Sequence, residues 1–300
     1  MNYFPLRRRI KDILASKTML VITVVTAAII LLMIAGLYLK SRPILANHPL
    51  GQLLFSSRWH PFRGEFGFLA FIMGTLWVTG VAVLIAVPLC LLTSIYLSEY
   101  AHSNVREWVK PLIDILAGIP SVVFGVWGIL VVVPFIKDVV APFSGTFSTG
   151  YSILAGGIVL AIMIFPVIIH VSLEIFRAVP QEVREASLAV GATRWQTIKH
   201  VVMRKALPGV AAAIVLGISR AFGETMAVLM VVGNVPKIPG SVLDPAYPLP
   251  ALIANNYGEM LSIPLYDSAL MLAAFILLLV VLIFNVLSRM ILVRVERSIR

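Results

Sequence analysis

Six apolar stretches, at about 18–39, 68–98, 112–135, 152–173, 208–233 and 268–288, dominate this chain and leave it few folds to choose from. A bilayer core of about 30 Å is crossed by about 20 apolar residues in a helix. Each stretch meets that length, and the second exceeds it, which predicts a tilted helix or one that begins outside the hydrocarbon. Lipid offers no partner to an open backbone, so all six are predicted to be helices. The two-residue alternation of a membrane β-barrel is absent. Only 13% of the residues are charged, about half the charge density of a soluble domain, and the mean hydropathy is +0.98. The fold class predicted is all-α, a polytopic membrane protein with six transmembrane helices.

The placement of charge gives an orientation. Arg7, Arg8, Arg9, Lys11 and Lys17 precede the first stretch. If that end is cytoplasmic, the segments on the same side hold 17 Lys/Arg, against six on the other: Lys40, Arg42, Arg58, Arg63, Lys137 and Lys237. This bias predicts that both termini are cytoplasmic. The first stretch reads as a retained helix, because it is longer than a usual signal core and no small-residue cleavage site follows it. Cys90 is the only cysteine, which excludes a disulfide within the chain.

Three regions are predicted. Residues 1–67 hold a cytoplasmic segment, the first helix and an outer segment whose Trp59, Phe62, Phe66 and Phe68 suit a bilayer interface. Residues 68–290 form a five-helix core, with a basic loop at about 174–207 as its largest polar element facing the cytoplasm. Residues 291–300 form a cytoplasmic tail. The outer segment 234–267 carries six prolines, too many for one continuous helix, and leaves room for a short helix at 249–260.

The basic loop reads PQEVREASLAVGATRWQTIKH over 180–200. Pro180 suits the start of a helix, and Glu182 and Glu185 lie near its positive end. Gly191 permits a turn, and a second helix is predicted from Ala192 to Lys205. Leu188, Val190 and Trp195 would be exposed apolar knobs, suited to a partner's groove. The loop resembles the EAA docking loop of ABC importer permeases, matching it at Glu185, Ala186, Gly191 and Val201. It departs at Ser187, and at Met203-Arg204 where Leu-Pro is expected. The resemblance implies a permease core of the type I importer kind, and ATPase docking through Glu182, Glu185, Ala186, Gly191 and Trp195.

Arg220 falls about 18 Å into the fifth stretch at 1.5 Å per residue, near the bilayer midplane. Glu224 follows at i+4 on the same predicted helical face, with Ala213 and Gly217 allowing close approach of a neighbour. An ion at that depth costs several kcal/mol unless it meets a partner or a water-filled path. The pair either neutralises itself within the bundle or handles a travelling oxyanion, for which a guanidinium fork is suited.

The stretch Arg220-Ala221-Phe222-Gly223-Glu224-Thr225-Met226-Ala227 is similar to that of phosphate-specific ABC permeases of the C type. Ala117 to Gly125, Gly74-Thr75-Leu76 and Ser98-Glu99-Tyr100-Ala101 resemble the same family. The resemblance implies inorganic phosphate as substrate and Arg220 and Glu224 in the path. It also implies a second permease, two ATP-binding subunits and an extracytoplasmic phosphate-binding protein as partners, in the prokaryotic inner membrane. In the third stretch, Asp114, Gly118, Ser121, Gly125 and Gly128 share one helical face, and Pro120 predicts a kink. Gly118, Pro120 and Ser121 are therefore candidate path or hinge residues, with Asp114 capping or pairing with a basic loop residue.

No G-x-x-x-x-G-K-[ST] loop is present, so no ATP hydrolysis is expected of this chain; ATP and magnesium would be held by the partner ATPase. The five histidines lack metal-ligand spacing. Basic clusters near the membrane fit topology and anionic lipid better than nucleic acid. A permease for sulfate or molybdate, or a secondary anion transporter, is the alternative reading of the sequence.

Overall fold

A computed structural model describes residues 4–259 and 263–299. Among them are six helices long and apolar enough to cross a membrane. α1 (Phe4–Asn47) is followed by a short α2 (Leu50–Phe55) and a two-stranded hairpin, β1 (Trp59–His60) and β2 (Glu65–Phe66), paired antiparallel as Trp59↔Phe66 and His60↔Glu65. α3 (Leu69–Tyr100) ends in a π-helical turn at Tyr96–Tyr100. α4 (Ser103–Gly118) and α5 (Ser121–Phe143) are separate helices. α6 (Ile153–Ala178) leads through α7 (Gln181–Ala189) into α8 (Arg194–Gly223). α9 (Met226–Val231), α10 (Leu249–Asn256) and α11 (Tyr266–Ile299) complete the chain.

The core is built around α6, which packs against α3 on one side and α8 on the other. Small residues set the spacing. A Cβ on Gly157 would sit 2.4 Å from a methyl of Val81 on α3, and one on Gly209 would sit 2.7 Å from Ile175. The contacts Val78–Gly156 and Ser94–Ile169 make α3 and α6 parallel. Gly209–Ile175 and Gly217–Ile168 make α8 antiparallel to α6. α11 runs back along α8, held by Asn285 Nδ2 to Ser219 Oγ (2.6 Å) and Ser288 Oγ to the Ala212 carbonyl (2.8 Å).

Several boundaries differ from those the hydropathy predicts. The third span begins at Ser121, because Ile119 and Pro120 are both extended and end α4 at Gly118. A proline disfavours helical geometry in the residue before it, so a full break replaces the expected kink. The predicted common face from Asp114 to Gly128 is thereby split between two helices. Asp114 pairs across α4 and α6 with His170 (2.9 Å) instead of with a basic loop residue. The second helix of the basic loop starts at Arg194 and runs without a break into the fifth span through a π turn at Ile198–Val202. α1 already begins at Phe4 and α11 continues to Ile299, so the segments flanking the first and last spans are helical extensions.

The aromatic residues of the first outer segment also behave differently from a membrane belt. Phe66 and Phe68 are buried with Ile44, Leu53, Phe71, Leu252 and Tyr266. Trp59 lies 5.0 Å from Phe71 and 5.7 Å from Phe66, edge-on to both. They form the core of a folded cap; Phe62 remains exposed. The proline-rich segment closes the start of α6, where Asp244 and Val242 carbonyls accept from Ile153 and Leu154 N–H (3.0 and 2.8 Å). Those donors have no partner inside their own helix.

Candidate functional site

Two helix breaks lie side by side within the membrane-spanning region. α8 ends at Gly223; Glu224 is extended (φ −74°, ψ 129°), and α9 restarts at Met226. α5 restarts at Ser121 after its own break. Gly125 of α5 faces Ala227 and Met230 of α9, and Gly128 faces Val231, so the two restarted helices run in the same direction from the same level. That level falls between the Gly217–Ile168 and Val228–Gly156 contacts, in the middle of α6. Broken helices at membrane depth are tolerated where they are buried in protein or line a cavity. The first amides of a helix carry partial positive charge, so the starts of α5 and α9 add to the field near the breaks.

Arg220 lies in the last turn of α8 beside this level, and its residue surface is exposed. Glu224 is half-buried. The predicted i, i+4 face does not exist, because Glu224 stands outside the helix. Among the described residues, no ion pair within 4 Å joins Glu224 to Arg220. Gly217 does meet a neighbour closely, as its small size suggests, while Arg220 one turn on is exposed. Gly118 and Pro120 are exposed and Ser121 is half-buried, all at the second break.

The basic loop forms a helical hairpin at one end of the bundle. Pro180 precedes α7 as its N-cap, and Glu182 lies in the first turn. Gly191 turns the chain with φ +87°, in the left-handed region that glycine enters at little cost. Thr193 and Gln196 then form a reciprocal capping box, each side chain accepting from the other's backbone N–H (3.3 and 2.8 Å). Ser187 Oγ meets Thr197 Oγ1 at 2.9 Å and ties the two arms. Glu182, Glu185, Ala186 and Gly191 are exposed, Val190 is 84% exposed and Trp195 is 53% exposed. The tip therefore presents apolar side chains within a charged rim. The helix continues smoothly through Met203-Arg204, where the departure from Leu-Pro occurs.

Sequence reasoning missed the hairpin's anchor. Arg184 on α7 and Glu99 at the end of α3 form a bidentate ion pair, Nη2 to Oε1 at 2.8 Å and Nε to Oε2 at 3.2 Å, with side chains 13% and 10% exposed. The signal available was weak: an acidic residue closing one span and an arginine beside Glu185.

A model of the family described as "binding-protein-dependent transport system inner membrane component" matches residues 91–300. The chain belongs to this permease family. The permease is 36% identical over 261 residues to the phosphate transport system permease protein PstC of Xylella fastidiosa (strain 9a5c), covering 82% of this chain and 80% of that one. It is 43% identical over 210 residues to the probable ABC transporter permease protein YqgH of Bacillus subtilis (strain 168), covering 69% and 66%. Its fold is shared with a chain of a bacterial alginate ABC transporter crystallised with an alginate pentasaccharide-bound periplasmic protein, at TM-score 0.58, 17% identity and 94% coverage of each. With six apolar spans, the permease is an integral inner-membrane protein of the ABC importer kind.

Proposed function

We propose that the permease forms one half of the translocation path of an ATP-driven importer of inorganic phosphate. The carrying observation is Arg220: a guanidinium halfway along the bundle, exposed on the surface of its own subunit beside two helix breaks. Against lipid such a charge would cost several kcal/mol, so this surface must meet a partner or water. A second permease subunit covering it would enclose a path lined by Arg220, Glu224 and the breaks at Gly118–Ser121. The names of the relatives supply the substrate, and a planar donor fork suits a tetrahedral oxyanion.

In this reading, the exposed hairpin tip receives an ATP-binding subunit on the cytoplasmic side, placing both termini there, and a second such subunit serves the partner permease. ATP and magnesium belong to those subunits. A phosphate-binding protein delivers the ion to the opposite face. Movement of the hairpin tilts the spans, opening the path first outward and then inward. Arg220 attracts the ion, and Glu224 keeps that attraction from becoming a trap.

The deciding experiment is phosphate uptake by the assembled transporter in proteoliposomes loaded with ATP. Arg220→Gln is expected to abolish uptake while all subunits still co-purify. Normal uptake by that variant removes Arg220 from the path. Uptake that proceeds without ATP, or favours sulfate or molybdate over phosphate, overturns the reading itself.

A further inference from the structure

We propose that Arg184 and Glu99 are the positioning pair that carries movement of the hairpin into α3; this rests on the hairpin's being where the ATPase docks. α7 has no fully buried residue, and Val183 is only partly buried, so apolar packing holds it weakly. Its polar side-chain links are Ser187 to Thr197 at the start of α8, and Arg184, which reaches the end of α3.

All five N–H donors of the Arg184 guanidinium have acceptors. Nε donates to Glu99 Oε2, and Nη2 to Glu99 Oε1 and the Phe176 carbonyl (2.7 Å). Nη1 donates to the Val179 and Pro180 carbonyls. The carbonyls line the turn from the end of α6 to the start of α7, with Phe176 in the last turn of α6, Val179 just after it and Pro180 the N-cap of α7. One side chain thus joins α6, α7 and α3. Lysine, with a compact ammonium and three donors, cannot reproduce this fork.

Glu99 is held from its own side as well. It sits in the π turn that closes α3, and Ser98 Oγ donates to its Oε1 at 3.0 Å. Arg106 of α4 donates to the Leu97 and Ser98 carbonyls (3.0 and 3.3 Å). The next residue, Tyr100, takes the Arg194 guanidinium over its ring at 5.3 Å from the centroid. Both arms of the hairpin therefore grip the end of α3, a helix that runs the full thickness of the bundle against α6. A buried ion pair contributes little net stability compared with an apolar substitute, but separating its partners is strongly unfavourable. Such a link resists being pulled apart when one end moves.

The test uses the full transporter, with its second permease, ATPase and phosphate-binding protein, in proteoliposomes. Glu99→Gln and Arg184→Lys are compared for ATPase co-purification, ATP hydrolysis and phosphate carried per ATP. The ATPase is expected to stay bound and active while phosphate per ATP falls about tenfold, within the usual range for coupling between two sites. Hydrolysis and uptake falling in proportion, an unchanged ratio, or loss of the ATPase from both variants would each overturn the proposal. Glu185→Lys, assayed alongside, separates the two ideas: an ATPase that still binds that variant sinks the docking reading, whereas an unchanged ratio in Glu99→Gln sinks only the coupling role.

Discussion

Gly217 of α8 lies directly against Ile168 of α6: a Cβ added to the glycine would come within 2.7 Å of Cγ1 and 2.8 Å of Cδ1 of the isoleucine. The two helices meet here with no room for a methyl group. Gly217→Val is expected to push them apart at a cost of about 1–3 kcal/mol, seen as a lower Tm of the detergent-solubilised permease. Gly118 carries the opposite expectation, since a Cβ there meets nothing within 4 Å and its φ is not left-handed. Gly118→Ala should leave Tm unchanged. A loss of Tm at Gly118 matching that at Gly217 would contradict this account of the packing.

Thr75 explains one of the sequence segments shared with phosphate permeases. Its buried hydroxyl donates to the Phe71 carbonyl and accepts from the Leu249 N–H, both at 2.8 Å, so it caps α10 from the wall of α3. A Cβ added to Gly74 beside it would come within 3.1 Å of the Tyr247 backbone, so the glycine lets that outer segment lie close against α3. Thr75→Val keeps the shape and removes the acceptor, leaving the Leu249 amide unpaired at a cost of about 1–3 kcal/mol. Thr75→Ser should retain most of the stability. Equal Tm for the valine and serine variants would count against the bond.

The six spans were legible because hydropathy over about 20 residues is a strong signal; the short helix expected at 249–260 forms over Leu249–Asn256, and Met260 lies outside the described residues. The breaks were not. Pro120 announced a disturbance without distinguishing a kink from an end, and nothing between Arg220 and Glu224 is a proline; Gly223 alone marked the weakness. An i, i+4 argument presumes a helix, and it failed at the one place where the helix stops. Phe66 and Phe68 were misread because aromatic residues near a span suit an interface and a folded cap equally well. Arg184 and Glu99 are separated by 85 residues, so no local pattern could pair them.

Glu224 sits off the helix and unpaired with Arg220 among the described residues. If it weakens the hold of the path on an anion, removing its charge strengthens that hold. Glu224→Gln is therefore expected to lower both the apparent KM for phosphate and the maximal uptake rate, the signature of a bound ion released too slowly. An increase in KM would instead assign Glu224 to capture of the ion.

At the hairpin tip, Gly191 and Val190 separate backbone from surface effects. Gly191 has φ +87° with open space where a Cβ would be, so the cost of Gly191→Ala is conformational, about 1–2 kcal/mol. Spread over a turn that α7 and the Thr193 capping box already constrain, this should weaken ATPase co-purification partially. Val190→Asp leaves the backbone alone but places a carboxylate on the most exposed of the hairpin's large apolar side chains. Burying that charge in a partner's groove without a counter-ion is costly, so Val190→Asp should release the ATPase more completely than Gly191→Ala, with the Tm of the permease itself unchanged. If Val190→Asp retains the ATPase while Gly191→Ala loses it, the turn matters for its shape alone and the apolar tip does not enter the partner.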